Sequence, residues 1–257
     1  MTTPMRAFIV CVNYADLLAI TLPYNRHHFS EVVVVTSSAD TQTQAISRQN
    51  NAHCFVTEKF YEGGAEFNKF AALEQAFDEY GRDGWICIMD ADVMWPKHID
   101  WEFWMPDWLA GPNTRSKVML PGNLYTPLRH MCLDTQNIPQ ECYWASYPLH
   151  PQQVEWAGYT QIFHGEDFHL GAPPWHLTNW KHAGGPDSWF QQQWPAHSKH
   201  RPPFNCLHLG PAGQNWCGRT TAYRDGSLPS EAVARLERLR YYMQERRRRR
   251  DFESEKL

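Results

Sequence analysis

Residues 84–96 read GWICIMDADVMWP, and two aspartates, Asp90 and Asp92, stand one residue apart where an apolar run ends. In an extended chain, side chains at i and i+2 point to the same side. Two carboxylates so placed repel each other unless something positive lies between them. Their oxygens suit Mg²⁺ or Mn²⁺, which keep open positions for phosphate oxygens. A lone Asp-x-Asp is a weak motif, because acidic pairs at turns are common. Its place directly after a buried-looking strand strengthens it.

Two further stretches carry chemistry. In NWKHAGGPDSWF (179–190), a pair of glycines permits close backbone approach to a ligand, and Asp187 follows between aromatics. A carboxylate partly desolvated beside Trp189 and Phe190 would suit work as a general base. The plain structural alternative is a Gly-Gly-Pro turn with Asp187 capping the next helix. In NCLHLGPAGQNWCGR (205–219), His208 ends a short apolar run. A neutral imidazole is a good ligand for Mn²⁺ and a poorer one for Mg²⁺. With thirteen histidines in the chain, any single one is more often structural than a ligand.

The elements that position these residues read as alternating strands and helices. RAFIVCV (6–12), EVVVVT (31–36), HCFVT (53–57), WICIM (85–89) and KVMLP (117–121) are β-rich runs bounded by polar residues. Between them, AEFNKFAALEQAFDEYG places Phe70, Leu73, Phe77 and Tyr80 at helical spacing, and Gly81 fits a helix C-terminus. Such alternation predicts an α/β fold with a mostly parallel sheet flanked by helices. Sheets of that kind bind ligands beyond the carboxyl ends of their strands, where Asp90 and Asp92 should stand. From 122 to 222 the chain is rich in Trp, His, Pro and Gly and reads as loops and short elements laid over the sheet. It closes with PSEAVARLERLRYYMQERRRRR. There Ser230 is a plausible N-cap, and Val233, Leu236, Leu239 and Tyr242 or Met243 make one apolar face.

At 257 residues, with 14% aromatics, the chain suits one elaborated domain with an ample core. It has no run of ~18 apolar residues to span a membrane. Its N-terminal apolar run falls short of the ~7–15 residues of a signal core, so a cytoplasmic protein of a bacterial or phage-infected cell is expected. Seven cysteines without a C-x-x-C pair read as reduced thiols, mostly buried. Charge is uneven. Residues 235–250 hold eight arginines against Glu237 and Glu245, whereas residues 1–234 carry a net −8. A basic arm on an acidic body points either to an anionic partner or to a solvated helix end.

Taken together, these signals resemble a GT-A-fold, nucleotide-sugar-dependent glycosyltransferase of the inverting, family 2-like kind, over roughly residues 5–220. Asp90-Ala91-Asp92 matches the family's metal-binding Asp-x-Asp. GGPDSWF is similar to the GGEDD-type segment of inverting enzymes such as the β-1,4-galactosyltransferases, whose aspartate is the catalytic base. It departs from that segment in having Pro186 and Ser188 where acidic neighbours stand. HLGPAGQNW resembles the late segment whose histidine completes the metal site. The resemblance therefore implies Asp90, Asp92 and His208 as metal ligands and Asp187 as base. It also implies a nucleoside pocket with Tyr14 stacking on the base, Asn13 and Thr36 beside it, and Asp40 on base or ribose. Asn68, Lys69 and Asp90 would lie at the phosphates. EWAGYTQIFHGEDF (155–168) resembles the segment bordering donor sugar and acceptor.

By this resemblance, residues 1–121 form a nucleotide-sugar-binding half and 122–225 an acceptor half of one GT-A, Rossmann-like domain. Residues 226–257 add an amphipathic, basic C-terminal helix. The implied cofactors are Mn²⁺ (or Mg²⁺) and a UDP-linked donor. For the acceptor, the arginine run points to DNA, as for a phage-type enzyme that sugars a hydroxymethylated pyrimidine. The alternative is a saccharide or other small acceptor. A nucleotidyltransferase fits less well, since VCVNYADLLAI lacks a glycine-rich phosphate loop. A non-catalytic carbohydrate-binding module would not need the acidic pair, and no H-E-x-x-H supports a zinc hydrolase.

Overall fold

The computed structural model describes residues 4–99, 119–135, 137–149, 156 and 159–210. Its first half runs β1 (Met5–Val10), α1 (Ala15–Asn25), β2 (Glu31–Thr36), α2 (Thr41–Gln49), β3 (His53–Val56), α3 (Lys69–Tyr80) and β4 (Trp85–Asp90). Then follow β5 (Val93–Met94), β6 (Leu124–Tyr125), β7 (Leu128–Cys132), β8 (Thr160–His164), α4 (Pro186–Phe190), β9 (Lys199–His200) and β10 (Asn205–Leu209). Seven strands form one sheet in the order β3-β2-β1-β4-β8-β6-β9. The first four are parallel, β8 runs antiparallel to both β4 and β6, and β9 is parallel to β6. The sheet is therefore mostly parallel with helices on its faces, the α/β arrangement that the strand–helix alternation predicts.

Alternation along the central strands builds both faces. Ala7 and Ile9 of β1, Val32 and Val34 of β2, and Cys87 and Met89 of β4 face α1, whose Leu18 and Leu22 complete that layer. Phe8 and Val10, Val33 and Val35, and Ile86 and Ile88 face α3. Strands buried on both faces read as continuous apolar runs, as EVVVVT and WICIM do. On α3, Phe70, Leu73 and Phe77 lie in the core and Tyr80 at its edge. Each fully buried side chain of this size contributes roughly 1.5–3 kcal/mol. The helix starts where Asn68 Oδ1 accepts the Ala71 N–H at 2.9 Å, an N-cap. It ends at Gly81, whose φ of 91° suits glycine.

Two expectations need correction. Residues 119–121 of the expected strand 117–121 are not in a strand, and pairing resumes at Leu124. The described residues between 122 and 210 are also more ordered than the composition suggested. They supply β6, β8 and β9 to the main sheet and build a second sheet, β5-β10-β7. Strands of two to five residues leave too little periodicity to register in sequence. The C-terminal helix and its arginine run lie outside the described residues. So does Cys217; the other six cysteines are free, four of them buried. Among the described residues, no helix is long and apolar enough to cross a membrane.

Candidate metal and nucleotide site

The strand order places β1 between β2 and β4, so the chain leaves β1 toward β2 and later returns on β1's other side as β4. At such a switch point the loops after the two strands part and leave a crevice. Asn13 and Tyr14 follow β1, and Asp90 and Asp92 sit at and just beyond the end of β4. The sequence-predicted residues of the first half therefore gather at one edge of the sheet.

His208 arrives there through the second sheet. The antiparallel pairing of β5 with β10 sets His208 opposite Val93, and the Leu209 N–H donates to the Asp92 carbonyl at 2.8 Å. As a result His208 Nε2 lies 3.6 Å from Asp92 Oδ2, with side-chain exposures of only 6% and 13%. Burial pushes the Asp92 carboxyl up from the ordinary carboxylate range, against the pull of His208, and Asp90 pushes it further. Burial likewise holds His208 below an ordinary histidine, although Asp92 draws it upward. Asp92 Oδ1 is buried with no hydrogen-bond partner among the described residues. A desolvated carboxylate oxygen without a donor is costly, and a cation would relieve that cost.

Asp90 is engaged differently. Its Oδ1 pairs with the ammonium of Lys69, the first residue of α3 and itself nearly buried. Lys69 is thus no solvated surface lysine. Among the described residues, no three His, Cys, Asp or Glu side chains converge as a metal-holding group. The structure brings Asp92 and His208 together and leaves Asp90 beside them on Lys69. Asp92 with its unpartnered buried Oδ1 and His208 beside it are donor types that Mn²⁺ accepts, and Asp90 would join them only on leaving Lys69.

On the nucleoside side, Asp40 caps α2. Its Oδ1 accepts the Thr43 N–H at 3.1 Å, and its Oδ2 accepts the Asn13 N–H at 2.6 Å and the Thr36 hydroxyl at 3.5 Å. Asp40 is buried and ties the turn after β1 to that after β2. The tie holds Asn13 at a φ of 61°, in the left-handed region that asparagine tolerates. Tyr14 begins α1 at this turn, half-buried.

Asp187 occupies the first turn of α4, behind Pro186 and a Gly185 with φ 113°. Its Oδ1 accepts the Ser188 N–H at 2.8 Å, so it shares the local role of a helix-start carboxylate. Two ties bring this loop to the site. Gln161 of β8 donates to the Asp187 carbonyl at 3.4 Å, and Gln161 sits opposite Ile88, near the end of β4. Asn68 donates to the Thr178 carbonyl at 2.6 Å, while Glu66 and Phe67 N–H groups donate to the Lys181 carbonyl. The Gly-Gly-Pro-Asp loop is thereby fastened to the start of α3, next to Lys69.

Several residues of this region escaped the sequence reading. His176 is fully buried, stacked 4.1 Å from Phe190 and 4.9 Å from Phe70 (ring centroids), and its Nδ1 lies 2.5 Å from Glu74 Oε1. Arg82 completes the network at 2.7 Å from the other Glu74 oxygen. Burial lowers His176, with Glu74 pulling the other way; Glu74 itself is held below the usual carboxylate range, where its bonds to His176 and Arg82 outweigh desolvation. The signal was present, since Glu74 falls on the buried stripe of α3 and needed a partner there. Asp167, from the segment expected to border the donor sugar, accepts from Gly122 N–H, Trp194 Nε1 and His169 N–H at 3.0, 2.8 and 2.9 Å. It braces loops. Arg129, on a strand whose mixed sequence Leu-Arg-His-Met-Cys gives no apolar run, is buried close to the Asp90–Asp92 pair.

No protein-family model matches this sequence, and no curated protein matches it. Among solved structures, the chain is similar to glucosyl-3-phosphoglycerate synthase from Mycobacterium tuberculosis in complex with Mn²⁺, UDP and glucosyl-3-phosphoglycerate. The identity is 12%, the alignment covers 83% of this chain and 72% of that one, and the TM-score is 0.46. It is also similar to mannosyl-3-phosphoglycerate synthase from Rubrobacter xylanophilus, with 15% identity, 95% and 75% coverage and a TM-score of 0.45.

Proposed function

We propose that this chain is a metal-dependent, inverting glycosyltransferase that moves a sugar from a nucleoside-diphosphate donor, UDP-linked, to an acceptor hydroxyl. The observation that supports the reading is the contact of His208 with Asp92 beside the Asp90–Lys69 pair at the end of β4. Asp92 and His208, joined by Asp90, would hold Mn²⁺ or Mg²⁺. Such a cation supplies neutralisation of the charge that builds on a departing diphosphate. Lys69, released from Asp90, would turn to the same phosphates. Tyr14 would stack on the base, with Asn13, Thr36 and Asp40 forming the rim of that pocket and Asn68 holding Lys69 in place. Asp187 would accept the proton of the acceptor hydroxyl as it attacks the anomeric carbon from the face opposite the diphosphate, which inverts the configuration.

The acceptor reading rests on the five arginines 246–250, which favour a hydroxymethylated pyrimidine in DNA; the acidic remainder of the chain favours a saccharide or other small acceptor. The test is UDP release from UDP-sugars with Mn²⁺, offered hydroxymethylated duplexes, unmodified duplexes and saccharides in parallel. Release that depends on the modified base supports the DNA acceptor. Release with saccharides alone removes it and keeps the enzyme class. Absence of UDP binding and of turnover with every donor and acceptor overturns the proposal, and sugar binding without metal or nucleotide would then favour a non-catalytic carbohydrate-binding module.

A further inference from the structure

Arg129 places a fixed positive charge at the same crevice. It is 7% exposed and lies on β7, which runs parallel to β10 with Arg129 opposite Cys206 and Met131 opposite His208. Arg129 and His208 therefore project from the same face of neighbouring strands as a diagonal pair, about 7–8 Å apart at the backbone. The guanidinium lies 3.9 Å from the ring centroid of Tyr159. The Tyr159 carbonyl in turn accepts the Asp90 N–H at 2.9 Å. Arg129 is thus held between the strand that carries His208 and the residue that anchors Asp90.

Its charge is felt across the site. Burial pulls the guanidinium itself below the ordinary arginine range, and Tyr159, Cys206, Asp90 and Asp92 draw it back. Arginine stays protonated in proteins, so the charge is permanent. Asp90 and Asp92 together are then balanced by Lys69 and Arg129 before any cation arrives. A divalent cation entering alone leaves uncompensated positive charge in a largely desolvated site, where charges interact strongly. One that enters with a diphosphate restores the balance.

We infer that Arg129 is a positioning residue that makes divalent-metal binding at Asp92 and His208 conditional on the donor diphosphate. The inference rests on the proposed metal and nucleotide site and goes beyond it by assigning the coupling to one side chain.

The test is titration of Mn²⁺, followed by the electron paramagnetic resonance signal of the free ion, with and without UDP, in wild type, Arg129→Met and Arg129→Lys. Wild type should bind Mn²⁺ weakly alone and far more tightly with UDP. Arg129→Met should bind nucleotide-free Mn²⁺ about tenfold or more tightly than wild type, with a correspondingly smaller gain from UDP. Arg129→Lys should keep the weak nucleotide-free binding. Should Arg129→Met not fold, Arg129→Gln carries the same expectation. A merely structural role would weaken Mn²⁺ binding in every variant, so unchanged or weaker nucleotide-free binding in a folded, neutral variant overturns the inference. Tight Mn²⁺ binding by wild type without UDP overturns it while leaving the proposed function standing. Failure of wild type to bind Mn²⁺ even with UDP overturns both.

Discussion

His208 Nε2 stands 3.6 Å from Asp92 Oδ2, joined by the pairing of a two-residue strand with β10. That contact brings the Asp-x-Asp motif after β4 against the late histidine, two signals that are separately weak in sequence. The imidazole and the carboxylate are both nearly buried; burial works against the charged form of each, and each offsets only part of that for the other. An arrangement of this kind is expensive for a fold unless a ligand uses it.

Lys69 should matter for the nucleotide more than for the metal. Lys69→Met removes the partner of Asp90 and the cation nearest the expected phosphates. A lost charged hydrogen bond of about 1.5–3 kcal/mol corresponds to roughly 10–100-fold weaker UDP binding in the presence of Mn²⁺. Isothermal titration calorimetry measures it. Unaltered UDP affinity would remove Lys69 from the phosphate site.

Asp187→Asn keeps the shape of the α4 turn and removes the proposed base. Turnover should fall by about 10²–10⁴-fold, while UDP and Mn²⁺ bind as in wild type. Steady-state kinetics beside calorimetry separates the two. A variant with near-normal turnover would reduce Asp187 to the helix-start role it already plays through Ser188.

Glu74 is a test of the loop's foundation. Glu74→Ala leaves His176 and Arg82 without their shared carboxylate in a buried site, and breaking such a network costs about 3–5 kcal/mol. Urea denaturation should show that loss. Protease cutting within 175–190 should also increase, because His176 stacks on Phe190 and anchors this segment.

His28 governs part of the acid limb of stability. Burial, with His27 adding repulsion, lowers it to about 4, and its Nε2 is buried with no partner among the described residues. The unfolded chain binds this proton near the ordinary value of about 6.5. Between about 6.5 and 4 the unfolded state therefore holds more protons than the folded one, so stability falls as pH drops through that window. His28→Phe should flatten the fall in metal-free protein, seen as a smaller shift of the urea midpoint between pH 7 and 4. An equally steep fall would assign the acid limb to other groups.

Much of this was legible in the sequence, for reasons that differ by element. EVVVVT is a strand at the residues expected because burial on both faces demands an unbroken apolar run. Phe70, Leu73, Phe77 and Gly81 marked α3 because apolar spacing and a glycine stop are local signals. Asp90 and Asp92 stood out because the strand before them is long. The second sheet was not legible: β5 has two residues, and its partners come from far along the chain. Arg129 was missed because its strand gives no apolar run. Asp40 also caps α2 and accepts from Asn13, Thr43 and Thr36; those bonds were not legible, because no spacing rule foretells which of its possible donors a buried aspartate will find.

The most direct test of the account is the thermal shift of wild type and Asp92→Ala with UDP, with Mn²⁺, and with both. Ligand at about 100 times its dissociation constant adds roughly 2.7 kcal/mol of stability, a readily visible rise in Tm. The account predicts a large rise with UDP and Mn²⁺ together, little with either alone, and none in Asp92→Ala. No rise with any nucleoside diphosphate, or a rise that Asp92→Ala retains in full, would contradict it.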